Sequence, residues 1–200
     1  MEQRGLKTGL RLLTVGCLMW AAGASAQVYV GGSLGKTDDT SNCFWSGGCD
    51  KSHSSYQLLG GYAYNQNVAI EFAYTNFGRS KSYFSSGDRS QRFESKVDAY
   101  SLAMLRSYSL TDQLSVFGKL GTAYLISNES LKAKGDGSLF TGEVNRQTRY
   151  RDLAVQIGVG LEYKLNDHLV LRAGYDQYRY KFQVGRKAFQ TTTIGARYAF

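Results

Sequence analysis

Few side chains in this 200-residue chain are of types that do chemistry, and most sit where catalysis is hard to build. There are two histidines, His53 and His168, and three cysteines, Cys17, Cys43 and Cys49. Six charges, Glu71, Lys119, Glu162, Arg172, Asp176 and Arg197, interrupt runs of small residues. A hydrolase would need a nucleophile, a base and an orienting acid together. His53 lies in a Ser- and Gly-rich stretch with no recognisable acid and nucleophile beside it, and His168 lies in the short turn Asn166-Asp167-His168. A metal site with Cys43, Cys49 and His53 would need more ligands than that stretch offers. No cofactor or metal is implied. The six charges suit pairing inside a crowded interior, where buried ions must offset each other's desolvation.

The elements that position them are strands. From Leu153 to Leu165 the residues Leu153, Val155, Ile157, Val159, Leu161, Tyr163 and Leu165 alternate with Ala154, Gln156, Gly158, Gly160, Glu162 and Lys164. A period of two with one bulky and one small or polar face is a strand whose apolar side faces a core or lipid. The same division recurs in seven other segments: Val28–Gly35, Ser55–Tyr64, Val68–Phe77, Lys96–Leu110, Leu114–Leu125, Leu169–Asp176 and Gln190–Phe200. Phe117 sits on the small face of its strand, and Arg106 interrupts a bulky face near a strand end, where it can snorkel to a membrane interface.

Between the strands, short and long connections alternate. Asn65-Gln66-Asn67, Thr111-Asp112-Gln113 and Asn166-Asp167-His168 are tight turns. Residues 36–54, 79–95, 127–151 and 179–189 are polar, charged stretches that read as long loops. This asymmetry predicts an all-β, eight-stranded antiparallel up-and-down transmembrane β-barrel, with three short periplasmic turns and four longer extracellular loops. A soluble ligand-binding barrel would put its bulk inside and its polarity outside.

Composition agrees. The chain has no proline, and no apolar run is long enough to span a bilayer as a helix. Arg4, Lys7 and Arg11 precede an apolar run from Leu12 to Ala22, and Ala24-Ser25-Ala26 forms a cleavage site before Gln27. Residues 1–26 thus read as a secretory signal and 27–200 as one barrel domain. Cys17 lies in the signal, but Thr14-Val15-Gly16 is a poor lead-in for lipidation. Cleavage removes three basic residues and Glu2, lowering the formal net charge from +8 to +6. Export argues against a nucleic-acid partner, and the bases fall mostly in the polar stretches, near lipopolysaccharide or host polyanions. An oxidising compartment favours a disulfide between Cys43 and Cys49.

The segments VYVGGSLG, LLGGYAYNQNVAIEFAYTNFG, SLTDQLSVFGKLGTAYL and IGVGLEYKLNDHLVLRAGYD, with the closing IGARYAF, resemble the transmembrane barrel of the OmpA-like family. The resemblance implies eight strands in a Gram-negative outer membrane. The chain stops at Phe200, so the peptidoglycan-binding domain of longer members, and its wall-anchoring role, do not carry over. Tyr198 and Phe200 resemble the signal read by the outer-membrane assembly machinery. In the family, positions matching Glu71, Glu162 and Arg172 form an interior network whose exchange of partners has been linked to a gated pore. The basic strand-four position that would accept the alternative pairing is Leu105 here.

The expected function is a structural, surface-exposed outer-membrane barrel, probing its surroundings through the loop aromatics Phe44, Trp45, Tyr83, Phe84 and Phe140. Lipopolysaccharide or a host-surface ligand is the expected contact, and the barrel is expected to be monomeric. A narrow ion channel is the alternative. An enzyme acting on lipid A is the third reading, and His168, in a periplasmic turn, is on the wrong side of the membrane for it.

Overall fold

The computed structural model describes residues 27–39, 52–86, 89–137, 140–182 and 185–200, and the alternation read from the sequence is there built into eight strands. These are β1 (Gln27–Asp39), β2 (Ser52–Ala63), β3 (Val68–Ser86), β4 (Arg89–Ser109), β5 (Leu114–Gly137), β6 (Phe140–Lys164), β7 (Leu169–Phe182) and β8 (Gly185–Ala199). Each pairs antiparallel with its sequence neighbour, and β8 returns to β1 to close the barrel.

Closure leaves no edge within the barrel wall, so its backbone polar groups can be satisfied without water. The bulky residues then have nowhere to go but outward. Leu34, Leu153 and Ile194 are 73%, 74% and 72% exposed, which is tolerable in lipid and costly in water. Outward tyrosines mark both borders. On β4, Tyr100 and Tyr108 stand eight residues apart, about 26 Å along the strand and about 20 Å in height at the usual tilt. Arg106 also points outward near the periplasmic end of β4, two residues from Tyr108.

All three predicted turns are present and share one hydrogen-bond pattern. Asn65 Oδ1 accepts from the amides of Asn67 and Val68 at 2.9 and 2.8 Å. Thr111 Oγ1 accepts from Gln113 and Leu114 at 3.3 and 2.9 Å, and Asn166 Oδ1 from His168 and Leu169 at 3.0 and 2.7 Å. In each case a short polar side chain substitutes for backbone acceptors that the tight reversal removes. The last carbonyl of each turn is taken by an amide from a later strand. Asn67, Gln113 and His168 accept from Ser107, Lys164 and Ala199, each at 2.8 Å. The periplasmic rim is therefore stitched sideways as well as along each hairpin.

The long connections differ from the loops expected of them. Residues 40–51 lie outside the described residues, but β3 and β4 remain paired to Ser86↔Arg89, β5 and β6 to Gly137↔Phe140, and β7 and β8 to Phe182↔Gly185. These three stretches are strand-built hairpins. Beyond the membrane both faces of a ladder meet water, so the bulky-versus-small alternation vanishes while the backbone pairing continues. Polar composition was therefore no sign of a loop. From Leu153 to Phe140, β6 runs thirteen further residues, about 43 Å along the strand.

The interior is filled by side chains in layers. Toward the outside, Phe77 stacks on Phe189 with ring centroids 5.1 Å apart, and Tyr178 packs edge-on against Phe77 at 5.0 Å. Phe189, expected in a loop, is thus part of the apolar cap, with Val97, Ala99 and Leu125 beside it. Toward the periplasm a second apolar group gathers Tyr29, Leu59, Leu105 and Phe117. The charges lie among and between these groups.

Candidate functional site

The small residues of the inner face make room for the charges. A methyl group at Gly158 would strike the Asp176 carboxylate and the Lys119 side chain; at Gly160 it would strike Phe117, and at Gly61 the Tyr29 ring. The glycines of the β6 inner face are therefore clearance for large neighbours from other strands. Gly158 is the register partner of both Lys119 on β5 and Asp176 on β7, so the two reach each other across it.

All six expected interior charges point into the barrel and join in one chain of alternating sign. Asp176 Oδ1 is 3.0 Å from Lys119 Nζ, which is 3.6 Å from Glu71 Oε1. Glu71 Oε2 accepts from Arg172 Nη1 at 2.6 Å. Arg172 Nε is 3.6 Å from Glu162 Oε1, and Glu162 accepts two hydrogen bonds from Arg197, from Nε and Nη2, at 3.0 Å each. Three acids balance three bases. The side chains of Glu71, Lys119 and Asp176 are 1%, 3% and 4% exposed, whereas Arg197, at the periplasmic mouth, is 21% exposed. The series thus runs from a dry middle to a half-open end.

Neutral residues complete it. Tyr29 donates to Glu71 Oε2 at 3.3 Å and its ring lies under the Arg197 guanidinium at 4.8 Å. Phe117 presents its face to Arg172 at 4.1 Å, giving a buried guanidinium an attractive apolar partner. Gln156 donates to Asp176 and to the Tyr178 hydroxyl, each at 3.1 Å, and Gln57 donates to Thr75 at 2.9 Å. Tyr29, Gln57, Thr75, Gln156 and Tyr178 were missed from the sequence as members of this network. Their only signal was inward parity, which a neutral polar residue shares with simple filler.

The other singled-out residues fall elsewhere. His168 Nδ1 lies 3.0 Å from the Ala199 carbonyl, and its ring stacks on Tyr198 at 5.6 Å, so it secures the end of β8. Tyr198 and Phe200 face outward at the periplasmic border, edge to face at 5.4 Å. His53 lies on β2, in register with Thr37. Among the described residues it has no partner for Nε2, and no cluster of His, Cys, Asp and Glu there could hold a metal. Cys43, Phe44, Trp45 and Cys49 lie outside the described residues. Tyr83, Phe84 and Phe140 have their backbone in β3 and β6, but their side chains lie outside the described ones.

Beside the Asn65–Asn67 turn a pocket of about 40 Å³ opens at the periplasmic mouth, lined also by Tyr29, Leu105, Glu162 and Arg197. It holds little more than water. What the arrangement does chemically is to satisfy charge within a packed barrel.

Residues 23–199 match the model of the OmpA-like transmembrane domain. The chain belongs to the OmpA-like family. It is a β-barrel of the Gram-negative outer membrane. No curated protein sequence matches it. Among solved structures it resembles Neisserial surface protein A at TM-score 0.59 and 16% identity, covering 88% of this chain and all of that one (100%). It also resembles Ail, the attachment invasion locus protein of Yersinia pestis, at TM-score 0.51 and 15% identity over 88% and 98% of the two chains. The N-terminal barrel domain of Pseudomonas aeruginosa OprF gives TM-score 0.51 at 14% identity, over 88% and 100%. At these identities the likeness is one of fold. The OmpA-like barrels are surface-exposed membrane proteins with structural roles.

Proposed function

We propose that this OmpA-like barrel is a closed, non-conducting scaffold that holds hairpins above the outer membrane, and that it carries out no catalysis. The observation that carries this is the lumen. A continuous chain of six mutually paired charges is packed among apolar side chains and is covered toward the outside by the Phe77–Phe189 layer, leaving no polar file for ions. Loading the interior with ions this costly to desolvate makes sense where each is matched, as here.

The same reading covers the remaining parts. Residues 1–26 serve as the cleaved export signal, Tyr198 and Phe200 present the C-terminal strand to the assembly machinery, and Cys43 and Cys49 bond within the first connection. The barrel works as a monomer. The polar connections, with Phe44, Trp45, Tyr83, Phe84 and Phe140, supply contacts to lipopolysaccharide or to a host surface.

One observation favours the channel as a second reading: Glu71 sits between two cations, Arg172 and Lys119. It faces both at once, however, rather than choosing between them. Planar-bilayer recording of refolded protein decides. The scaffold gives no discrete openings, with or without Arg172→Ala; stepwise openings lost or altered in that variant would establish the gate. Mass spectrometry of lipid A from cells with and without the protein tests catalysis, and a changed acyl chain would overturn the scaffold reading.

A further inference from the structure

The outer wall carries a second arrangement of charges, unrelated to the lumen. Tyr74, Tyr100 and Tyr124 are register neighbours on β3, β4 and β5 and form the outward aromatic row at the extracellular border, with Tyr74 and Tyr100 rings 5.3 Å apart. The next outward row reads Asn76, Asp98, Ile126 and Arg151. The row after that reads Arg79, Lys96, Asn128 and Arg149. Two residues above a tyrosine border is about 7 Å along the strand, the depth at which headgroup phosphates begin. Across three strand spacings the second row is about 14 Å wide.

Arg79 belongs to this row only because of a bulge. From Asn76↔Asp98 to Arg79↔Lys96, β3 advances three residues while β4 advances two. Unbroken alternation would have sent Arg79 inward after Thr75 and Phe77; the extra residue turns it out. The bulge is deliberately held. Gly78 takes φ +84°, and Asn76 accepts from its amide at 3.1 Å while donating to Asp98 Oδ1 at 2.6 Å. The Tyr74 hydroxyl donates to the same oxygen at 2.7 Å.

The neighbouring acids do not cancel the bases. Glu94 lies 3.5 Å from Arg79 and 3.9 Å from Arg92, and Asp98 lies 3.4 Å from Lys96. Arg79 is nonetheless 64% exposed, and pairs this wet are weakly held. Arg149 and Arg151 are exposed and form no ion pair among the described residues.

We propose that Arg79, Lys96 and Arg149, with Arg151 one row below, form a binding row for the phosphates of lipid A in the outer leaflet. Guanidinium groups suit phosphate geometry bidentately. A row this wide fits a disaccharide headgroup with a phosphate at either end. The inference rests on the outer-membrane scaffold reading and gives its lipid contact a location.

Refolded protein is titrated with bis-phosphorylated lipid A, dephosphorylated lipid A, inorganic phosphate and heparin, and bound ligand is counted by native mass spectrometry. The phosphorylated lipid should bind best, and Arg79→Glu with Arg149→Glu and Arg151→Glu should weaken it about tenfold or more. Equal binding of both lipid A forms, an unaffected triple variant, or binding of heparin in place of lipid would overturn the proposal. Heat-modifiable gel mobility separates the two readings. Wild-type protein that is heat-modifiable yet binds no lipid A refutes the row alone, whereas a triple variant that stays heat-modifiable while losing lipid A has lost the site and kept the fold. Gly78→Ala, which strains the bulge while keeping every charge, should weaken lipid A binding in the same direction; unchanged binding would remove Arg79 from the site.

Discussion

Glu162 and Arg172 are directly opposed in the β6–β7 ladder, yet their side chains meet at only 3.6 Å while each makes a closer ion pair with a residue of another strand. Arg172 reaches Glu71 on β3 at 2.6 Å, and Glu162 reaches Arg197 on β8 at 3.0 Å. The ladder therefore brings the two together without satisfying either. The result ties β3, β6, β7 and β8 across the lumen, which hydrogen bonds within the wall cannot do.

Arg172→Ala should be among the most destabilising interior substitutions. It removes the shorter of the two ion pairs of Glu71, leaving it with Lys119 and the Tyr29 hydroxyl, and empties the face of Phe117. Removing one partner of a buried pair costs about 3–5 kcal/mol. Urea unfolding of vesicle-inserted protein measures it, and a loss under about 1 kcal/mol would mean that water enters this layer freely.

Lys119 and Arg197 each contact one or two of the three acids, but at different depths. Lys119→Met should cost about 3–5 kcal/mol, because in a dry layer Asp176 loses its cation and Glu71 one of its two. Arg197→Met, at the mouth, should cost about 1–3 kcal/mol, since water can replace its hydrogen bonds to Glu162. Reversal of this order in paired urea titrations would contradict the burial gradient along the charge series.

How far the sequence reached follows from the physics at each level. Outward parity was legible because lipid demands bulk on one face of every strand, and Glu71, Glu162, Arg172 and Arg197 could be counted inward from tight turns whose register is narrow. The turns themselves were visible through Asn65, Thr111 and Asn166, side chains that cap a reversal. The strand ends above the membrane were not visible, because water on both faces erases the pattern. Nor was the bulge at Asn76-Phe77-Gly78, which resembles the start of a loop until its pairing is known. Tyr178 and Gln156 stayed hidden for another reason: they join charges from different strands, and one strand's alternation says nothing of its neighbours' offset.

Asp167, in the last periplasmic turn, should titrate below the ordinary carboxylate range. A hydrogen bond from Lys164 is the main cause, with that ammonium's charge adding to it, at 2.9 Å. A carboxyl whose folded-state value is depressed stabilises the fold at pH above its unfolded value, near 3.8, and loses that contribution as pH falls through the folded value. Carboxylate-resolved NMR titration should therefore show an early-acid midpoint that returns toward 3.8 in Lys164→Ala. Because both side chains are well exposed, salt should weaken the shift, and a shift unchanged by salt or by that substitution would refute the pairing.

Two strand glycines on opposite faces of the barrel wall should respond oppositely to the same substitution. At Gly158 a methyl group meets the Asp176 carboxylate and the Lys119 side chain, so Gly158→Ala must push apart the pair that anchors the dry end of the charge series. Overpacking of this kind costs about 1–3 kcal/mol. At Gly118, exposed on the outer face of β5, a methyl group meets nothing within 4 Å. There the substitution removes backbone freedom from the unfolded chain and adds apolar surface toward lipid, and Gly118→Ala should stabilise by about 0.5–1 kcal/mol. Urea midpoints of the two variants in the same vesicles should move in opposite directions. Equal shifts would mean that Gly158 is not clearance for the ion pair and that the inner face has room to spare.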